Sequence, residues 1–372
     1  MFAFTEDTFE QAVIELFENM GYTHIYAPDM NRTDYSRPLL DDVLRDCLVR
    51  LNRSLPAVAI DEAILKLNDF DAGSLLRKNI IFMDYLQNGI TVKYAVKGEE
   101  RSSVVKLIDY ADADKNDFYV VNQYTFVENG NNRRPDIILF VNGLPLVLME
   151  LKSPSKDEVG AENAYNQIRN YMKDIPSMFY YNAVCVISDL STNKAGTITS
   201  GLDRFMEWKT KDGDYENTAY AQFDTFYEGV FQKARLLDIL KNFILFSGDG
   251  QKPIKILAGY HQYFAVRKAI EKAKIATKTD GKGAPVLGGM GRINDIDSND
   301  TSRYHPPPTT SIIKSLSVNQ LSSSVPQFLS FVLGGILDTY KLQVIIFYYI
   351  YNIYYIYNKL LNKDKSEGSE KN

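Results

Sequence analysis

Apolar residues recur at helical spacing near the start of the chain, where Phe9, Ala12, Val13, Leu16, Phe17 and Met20 fall on one face. Glu6 and Asp7 precede them at the dipole-favoured end and Gly21 follows as a stop, so the pattern predicts a first helix. Residues 39–86 continue mainly in helical period, with Pro56 and Gly73 as breaks. After Gly89 the period shortens to alternation, which predicts strands over 90–96, 104–108 and 118–121. Two strongly apolar runs joined by Asn142-Gly143 predict a hairpin within 133–152. Beyond it, 159–173 reads as a helix ending before Pro176, and 179–188 as a buried strand. The stretch 208–229 is polar and turn-rich, 236–246 reads as an apolar helix, and 255–272 begins a further unit. Elements thus arrive as α, several β, α, β, the order of an α/β protein with a mixed sheet flanked by helices.

Charges interrupt this pattern where they are least expected. The segment RRPDIILFVNGLPLVLMELK carries Asp136, Glu150 and Lys152 inside or beside its apolar runs. An ionised group in a buried hairpin is costly unless it is paired or binds a metal. Two carboxylates and a lysine are also what a Mg²⁺-dependent phosphodiesterase needs. Asp136 and Glu150 would hold the metal, and Lys152, on the same strand face as Glu150, would orient water or stabilise the phosphorus. A two-residue Asn142-Gly143 loop in regular register would set Asp136 opposite Met149, on the wrong face. The metal site therefore requires a three-residue 142–144 loop or a β-bulge. The plainer alternative is that Asp136 caps a strand start after Pro135 and that Glu150 and Lys152 form a solvated strand end. Gln167 and Tyr171 share a helix face at i and i+4, where they would reach phosphate or metal-bound water, or else form an ordinary surface. Glu10 flanks the first apolar stripe beside Val13 and Phe17, where it would either point to solvent or lean into the site, and taken alone it reads as solvent-facing.

Composition narrows the class without naming it. The chain has 372 residues, 45% apolar and 24% charged, enough for two or three domains with sizeable cores. A net charge of −5 advertises no global nucleic-acid field, although an acidic metal site would offset a basic groove. Cys47 and Cys185 are too few for a disulfide framework and fit a reduced cytoplasmic setting, and the acidic N-terminus reads as no export signal. After about Gly283 the composition becomes Gly-, Ser- and Pro-rich, then Tyr/Ile/Asn-rich. The apolar run 342–357 contains Gln343 and Asn352 and is short of the roughly 20 residues a membrane span needs, so a segment without a selected fold is expected there.

Several longer stretches, FEQAVIELFENMGY, LIDYADADKNDFYVVNQYTF, NRRPDIILFVNGLPLVLMELKSP, AYNQIRNYMKDIP and IKILAGYHQYFAVRKAIEKA, resemble the restriction (R) subunit of type I restriction-modification enzymes. The resemblance runs over roughly residues 5–283. It implies a PD-(D/E)xK nuclease domain over 1–205 in which Asp136, Glu150, Lys152, Gln167 and Tyr171 carry the site and Glu10 matches the family's first-helix glutamate. It further implies a connecting segment over 206–245 and the start of a RecA-like motor over 246–283, where Tyr260, His261 and Gln262 resemble an adenine-contacting segment. The implied cofactors are Mg²⁺ and, in the intact family, ATP. The implied partners are double-stranded DNA and the methyltransferase and specificity subunits. Gly281-Lys282 departs from a P-loop, with Ala276 in place of its first glycine and Gly283 in place of Ser/Thr. The reading is therefore a Mg²⁺-dependent DNA endonuclease domain truncated before a working motor, with an irregular tail over 284–372 that has lost subunit docking. A catalytically silent DNA- or subunit-binding remnant is the alternative.

Overall fold

The computed structural model describes residues 5–71, 73–152, 160–189, 191–214, 223–247 and 252–276. Expectations for 284–372 and for the P-loop position at 281–283 lie outside the described residues. The chain divides into two compact units, Met1–His261 and Gln262–Asn372. In the first unit the order is α1 (Glu6–Asn19), β1 (Thr23–Tyr26), α2 (Asp41–Leu51), α3 (Ala57–Asn68), α4 (Leu75–Asn88), β2 (Ile90–Val96), β3 (Glu99–Val105), β4 (Phe118–Asn122), β5 (Phe126–Glu128) and β6 (Asn131–Arg133). There follow β7 (Ile137–Val141), β8 (Leu144–Leu151), α5 (Gly160–Asp174), α6 (Pro176–Tyr180), β9 (Val184–Ser188), β10 (Asn193–Gly196), α7 (Phe223–Phe231), α8 (Lys233–Asn242), β11 (Ile244–Ser247) and β12 (Ile254–Leu257). A last helix, α9 (Tyr260–Ala276), crosses the boundary into the second unit.

A six-stranded mixed sheet in the order β1-β4-β7-β8-β9-β10 organises the first unit. The β1/β4 and β8/β9 pairs are parallel and the other three antiparallel. Every residue of β7, β8 and β9 is buried, so these strands lie mid-sheet with both faces covered. Helix α5 closes one face, where Ala164, Ile168 and Tyr171 meet Ile138, Leu148, Cys185 and Ile187. Helix α1 packs on β1, β4 and β8 and buries Phe9, Val13, Ile14 and Phe17. Thr5 caps it by accepting from the Thr8 N–H at 3.2 Å, and Gly21 ends it at φ 84°.

The β7/β8 hairpin meets the register requirement with a β-bulge and not with a three-residue loop. Its turn is the two-residue Asn142-Gly143, both at positive φ, with Val141 paired to Leu144 and Phe140 to Pro145. The register then shifts, so that Leu139 pairs with Val147, Ile138 with Leu148 and Ile137 with Met149. Leu146 is the extra residue, and its carbonyl is satisfied by the Ala183 N–H at 2.7 Å. Asn142 is fully buried and anchors the turn, donating to Leu107 O and Asn116 Oδ1 at 2.9 Å while accepting from the Asp117 N–H at 2.8 Å.

Four sequence expectations shift. The strand expected from 179 starts only at Val184, because Pro176 at a helix start turns 176–180 into α6. The strand expected over 104–108 begins at Glu99 and ends at Val105, since Lys97 and Gly98 at positive φ close an exposed β2/β3 hairpin. The helix expected over 236–246 spans Lys233–Asn242, and Ile244 onward pairs with Ile254–Leu257 instead. Part of the turn-rich 208–229 stretch is helical, as α7. Among the described residues no helix is long and apolar enough to cross a membrane.

Candidate active site

The C-terminal ends of β4 and β8 and the entry to β7 converge at one end of the sheet. Continuing the bulged register past the Ile137–Met149 pair puts Asp136 across from Glu150. A hydrogen bond ties them further, with the Leu151 N–H donating to Asp136 Oδ2 at 2.7 Å. Glu150 is fully buried and its Oε1 accepts from Lys152 Nζ at 2.6 Å, while its Oε2 is buried with no hydrogen-bond donor. Lys152 is anchored by its own N–H, which donates to Ser188 O at 2.9 Å on the neighbouring β9. Glu150 and Lys152 are thus no solvated strand end, because their side chains are 0% and 20% exposed.

Electrostatics single out the same pair. Burial pushes the Asp136 carboxyl up to about 6, partly offset by the Leu151 N–H and the Lys152 charge. Glu150 is pushed well above the usual carboxylate range by burial and by Asp136, against the pull of Lys152. Burial works to lower the Lys152 ammonium, but Glu150 outweighs it and the net effect is upward. Two carboxylates that resist ionisation side by side, one with an unsatisfied oxygen, form a site that a divalent cation would relieve. Mg²⁺ commonly takes one or two protein carboxylates and keeps several waters, so this donor set fits it. Among the described residues no third Asp, Glu, His or Cys completes a metal-binding cluster.

The other predicted residues distribute unevenly. Tyr171 is buried on α5 and faces Glu150, its hydroxyl accepting from Gln167 Nε2 at 2.6 Å. Burial, and then Glu150, raise the tyrosine, so it stays a neutral donor. Glu10 does not face solvent, as its sequence neighbours alone imply. It is 7% exposed, Oε1 accepting from Asn122 Nδ2 at 2.7 Å and Oε2 from Gln123 Nε2 at 2.8 Å. Those two amides sit at the end of β4, where the strand pattern carries no sign of a carboxylate clamp. Glu6, one turn before Glu10, is a second group that sequence reasoning missed, since its charge bears on both Asp136 and Lys152. Its i, i+4 spacing from Glu10 was the available signal. Tyr260 and His261 open α9 and stack edge to face at 5.3 Å, while Gln262 begins the second unit.

The first unit is thus a mixed α/β fold with an acidic pair and a lysine at the end of a bulged central hairpin. The chain belongs to the family described as "Type I restriction enzyme R protein N terminus", whose match covers residues 3–204. It is 33% identical over 289 residues to the type I restriction enzyme HindI endonuclease subunit of Haemophilus influenzae, covering 74% of this chain and 27% of that one. Over 291 residues it is 30% identical to the putative type I restriction enzyme MjaIXP endonuclease subunit of Methanocaldococcus jannaschii, covering 71% and 27% respectively. The EcoprrI endonuclease subunit of Escherichia coli is 28% identical over 284 residues, covering 73% of this chain and 82% of the relative. The chain thus spans about a quarter of the length of the first two relatives.

Proposed function

We propose that residues 1–205 form a PD-(D/E)xK-type nuclease domain that hydrolyses DNA phosphodiesters with Mg²⁺ in a type I restriction system. The observation that carries this reading is the fully buried Glu150, whose Oε2 lacks any donor beside a second carboxylate at Asp136. Asp136 and Glu150 would hold the metal. When bound, Mg²⁺ would activate the attacking water and neutralise charge on the phosphate. Lys152, held in place by Glu150 and Ser188, orients that water or stabilises the pentacovalent phosphorus. Tyr171 and Gln167 supply neutral donors toward the phosphate. Glu10, kept charged-side inward by two amides, adds negative potential that favours the cation.

The rest of the proposal extends what the resemblance to type I R subunits implies. Double-stranded DNA is the substrate, and the cytoplasm is the place of work. Residues 206–245 connect to 246–283, the start of a RecA-like motor in which Tyr260, His261 and Gln262 would contact adenine but whose Gly281-Lys282 lacks the P-loop residues for ATP hydrolysis. Methyltransferase and specificity subunits are the partners of the whole assembly. The test is conversion of supercoiled plasmid to open circles by the purified chain with Mg²⁺. Nicking is expected in the wild type and lost in Asp136→Ala and Lys152→Ala. Nicking that survives both substitutions would overturn the assignment.

A further inference from the structure

Gln123 stands out among the residues around the carboxylate pair. Its φ of 56° lies in the left-handed region, which glycine or asparagine adopts readily and which other side chains rarely occupy. Such positions persist where the surroundings hold them, often at functional sites. Here the backbone N–H of Gln123 donates to Asp136 O at 3.1 Å, and its side-chain Nε2 donates to Glu10 Oε2 at 2.8 Å. One residue therefore grips the Asp136 segment with its backbone and the α1 carboxylate with its side chain.

The partners chosen for Glu10 matter as much as their number. Asn122 Nδ2 fills the other oxygen at 2.7 Å, and Asn122 Oδ1 is itself held by His24 Nε2 at 2.9 Å. A lysine or arginine in either place would neutralise Glu10. Two neutral amides satisfy its hydrogen bonds and leave its charge directed at the neighbouring site. We infer that Gln123 is a positioning residue that ties Glu10 to the Asp136 end of the carboxylate pair and so sets the charge that receives a divalent cation. This rests on the metal-binding reading proposed above, and extends it to a residue outside the Asp-Glu-Lys constellation.

Calorimetric titration of Mn²⁺ into the full chain tests the inference, with thermal unfolding measured in parallel. Gln123→Met keeps the side-chain length without the donor, and Gln123→Gly removes the donor while relieving the backbone. Both are expected to weaken Mn²⁺ binding on the order of tenfold, as loss of an outer-shell partner does. Neither is expected to weaken it further when combined with Glu10→Ala, because the side chain acts through Glu10. Wild-type Mn²⁺ affinity in Gln123→Gly, or a loss that adds to that of Glu10→Ala, would overturn the inference while leaving the metal site standing. Wild-type binding indifferent to Asp136→Ala would instead overturn the metal reading and the inference with it.

Discussion

Two buried charges show how differently a side chain can be accommodated. Glu150 sits at zero exposure with one oxygen on Lys152 and the other bare, an arrangement that costs the metal-free fold. Glu150→Gln keeps the shape and removes the charge. It should stabilise the metal-free chain by about 1 kcal/mol, raising the thermal midpoint by about 2–4 °C, while abolishing nicking. Lys255 is the opposite case, a buried ammonium donating to Asn79 Oδ1 at 3.0 Å and Asn182 O at 2.7 Å with no carboxylate in its bonds. Burial pushes it down to about 7. Between that value and the unfolded one near 10.5 the unfolded chain binds more protons, so this group makes stability rise with pH. Wild-type unfolding free energy should therefore gain up to about 1.4 kcal/mol per pH unit above pH 7 relative to Lys255→Met, measured by urea denaturation at pH 7, 8 and 9. Asp136, Glu150 and Lys152 were legible in the sequence because charge interrupts apolar runs. Lys255 and Gln123 were not, since a lone polar residue in a strand, or at its end, looks the same whether buried or solvated.

At the level of elements, the β7/β8 hairpin decides whether a site exists. Register arithmetic from the sequence demanded an irregularity but could not place it. Every position of LPLVLMEL is apolar or functional and all eight are buried, so the two-residue period that marks a face is missing. Pro145 was the overlooked pointer, because a proline within a central strand belongs at a bulge, and Leu146 beside it is the unpaired residue. The turn is under equal constraint. A Cβ on Gly143, at φ 82°, would come within 2.8 Å of Leu40 O and Leu44 N at the start of α2. Gly143→Ala should cost about 2–4 kcal/mol in urea unfolding, combining left-handed strain with a backbone clash. The expected strand at 179–183 failed for a local reason, since apolar Met178 and Phe179 serve a helical turn behind Pro176 as well as they would a strand.

On the scale of the whole molecule, the alternation of α and β segments foretold a mixed sheet flanked by helices, and the sheet order stayed hidden. Strand β1 pairs in parallel with β4 across the intervening α2–α4 and the β2/β3 hairpin, a long-range pairing that no local pattern encodes. That pairing matters, since it carries α1 and Glu10 to the end of the sheet where Asn122, Gln123 and Asp136 meet. We propose that this end of the sheet cuts DNA with a metal held by Asp136 and Glu150. The most direct test is plasmid nicking by the purified full chain across a Mg²⁺ titration, with Glu150→Gln as the matched control. Mg²⁺-dependent nicking is expected from the wild type, abolished by EDTA and absent from Glu150→Gln even though that variant melts no lower. Equal nicking by both proteins would contradict it.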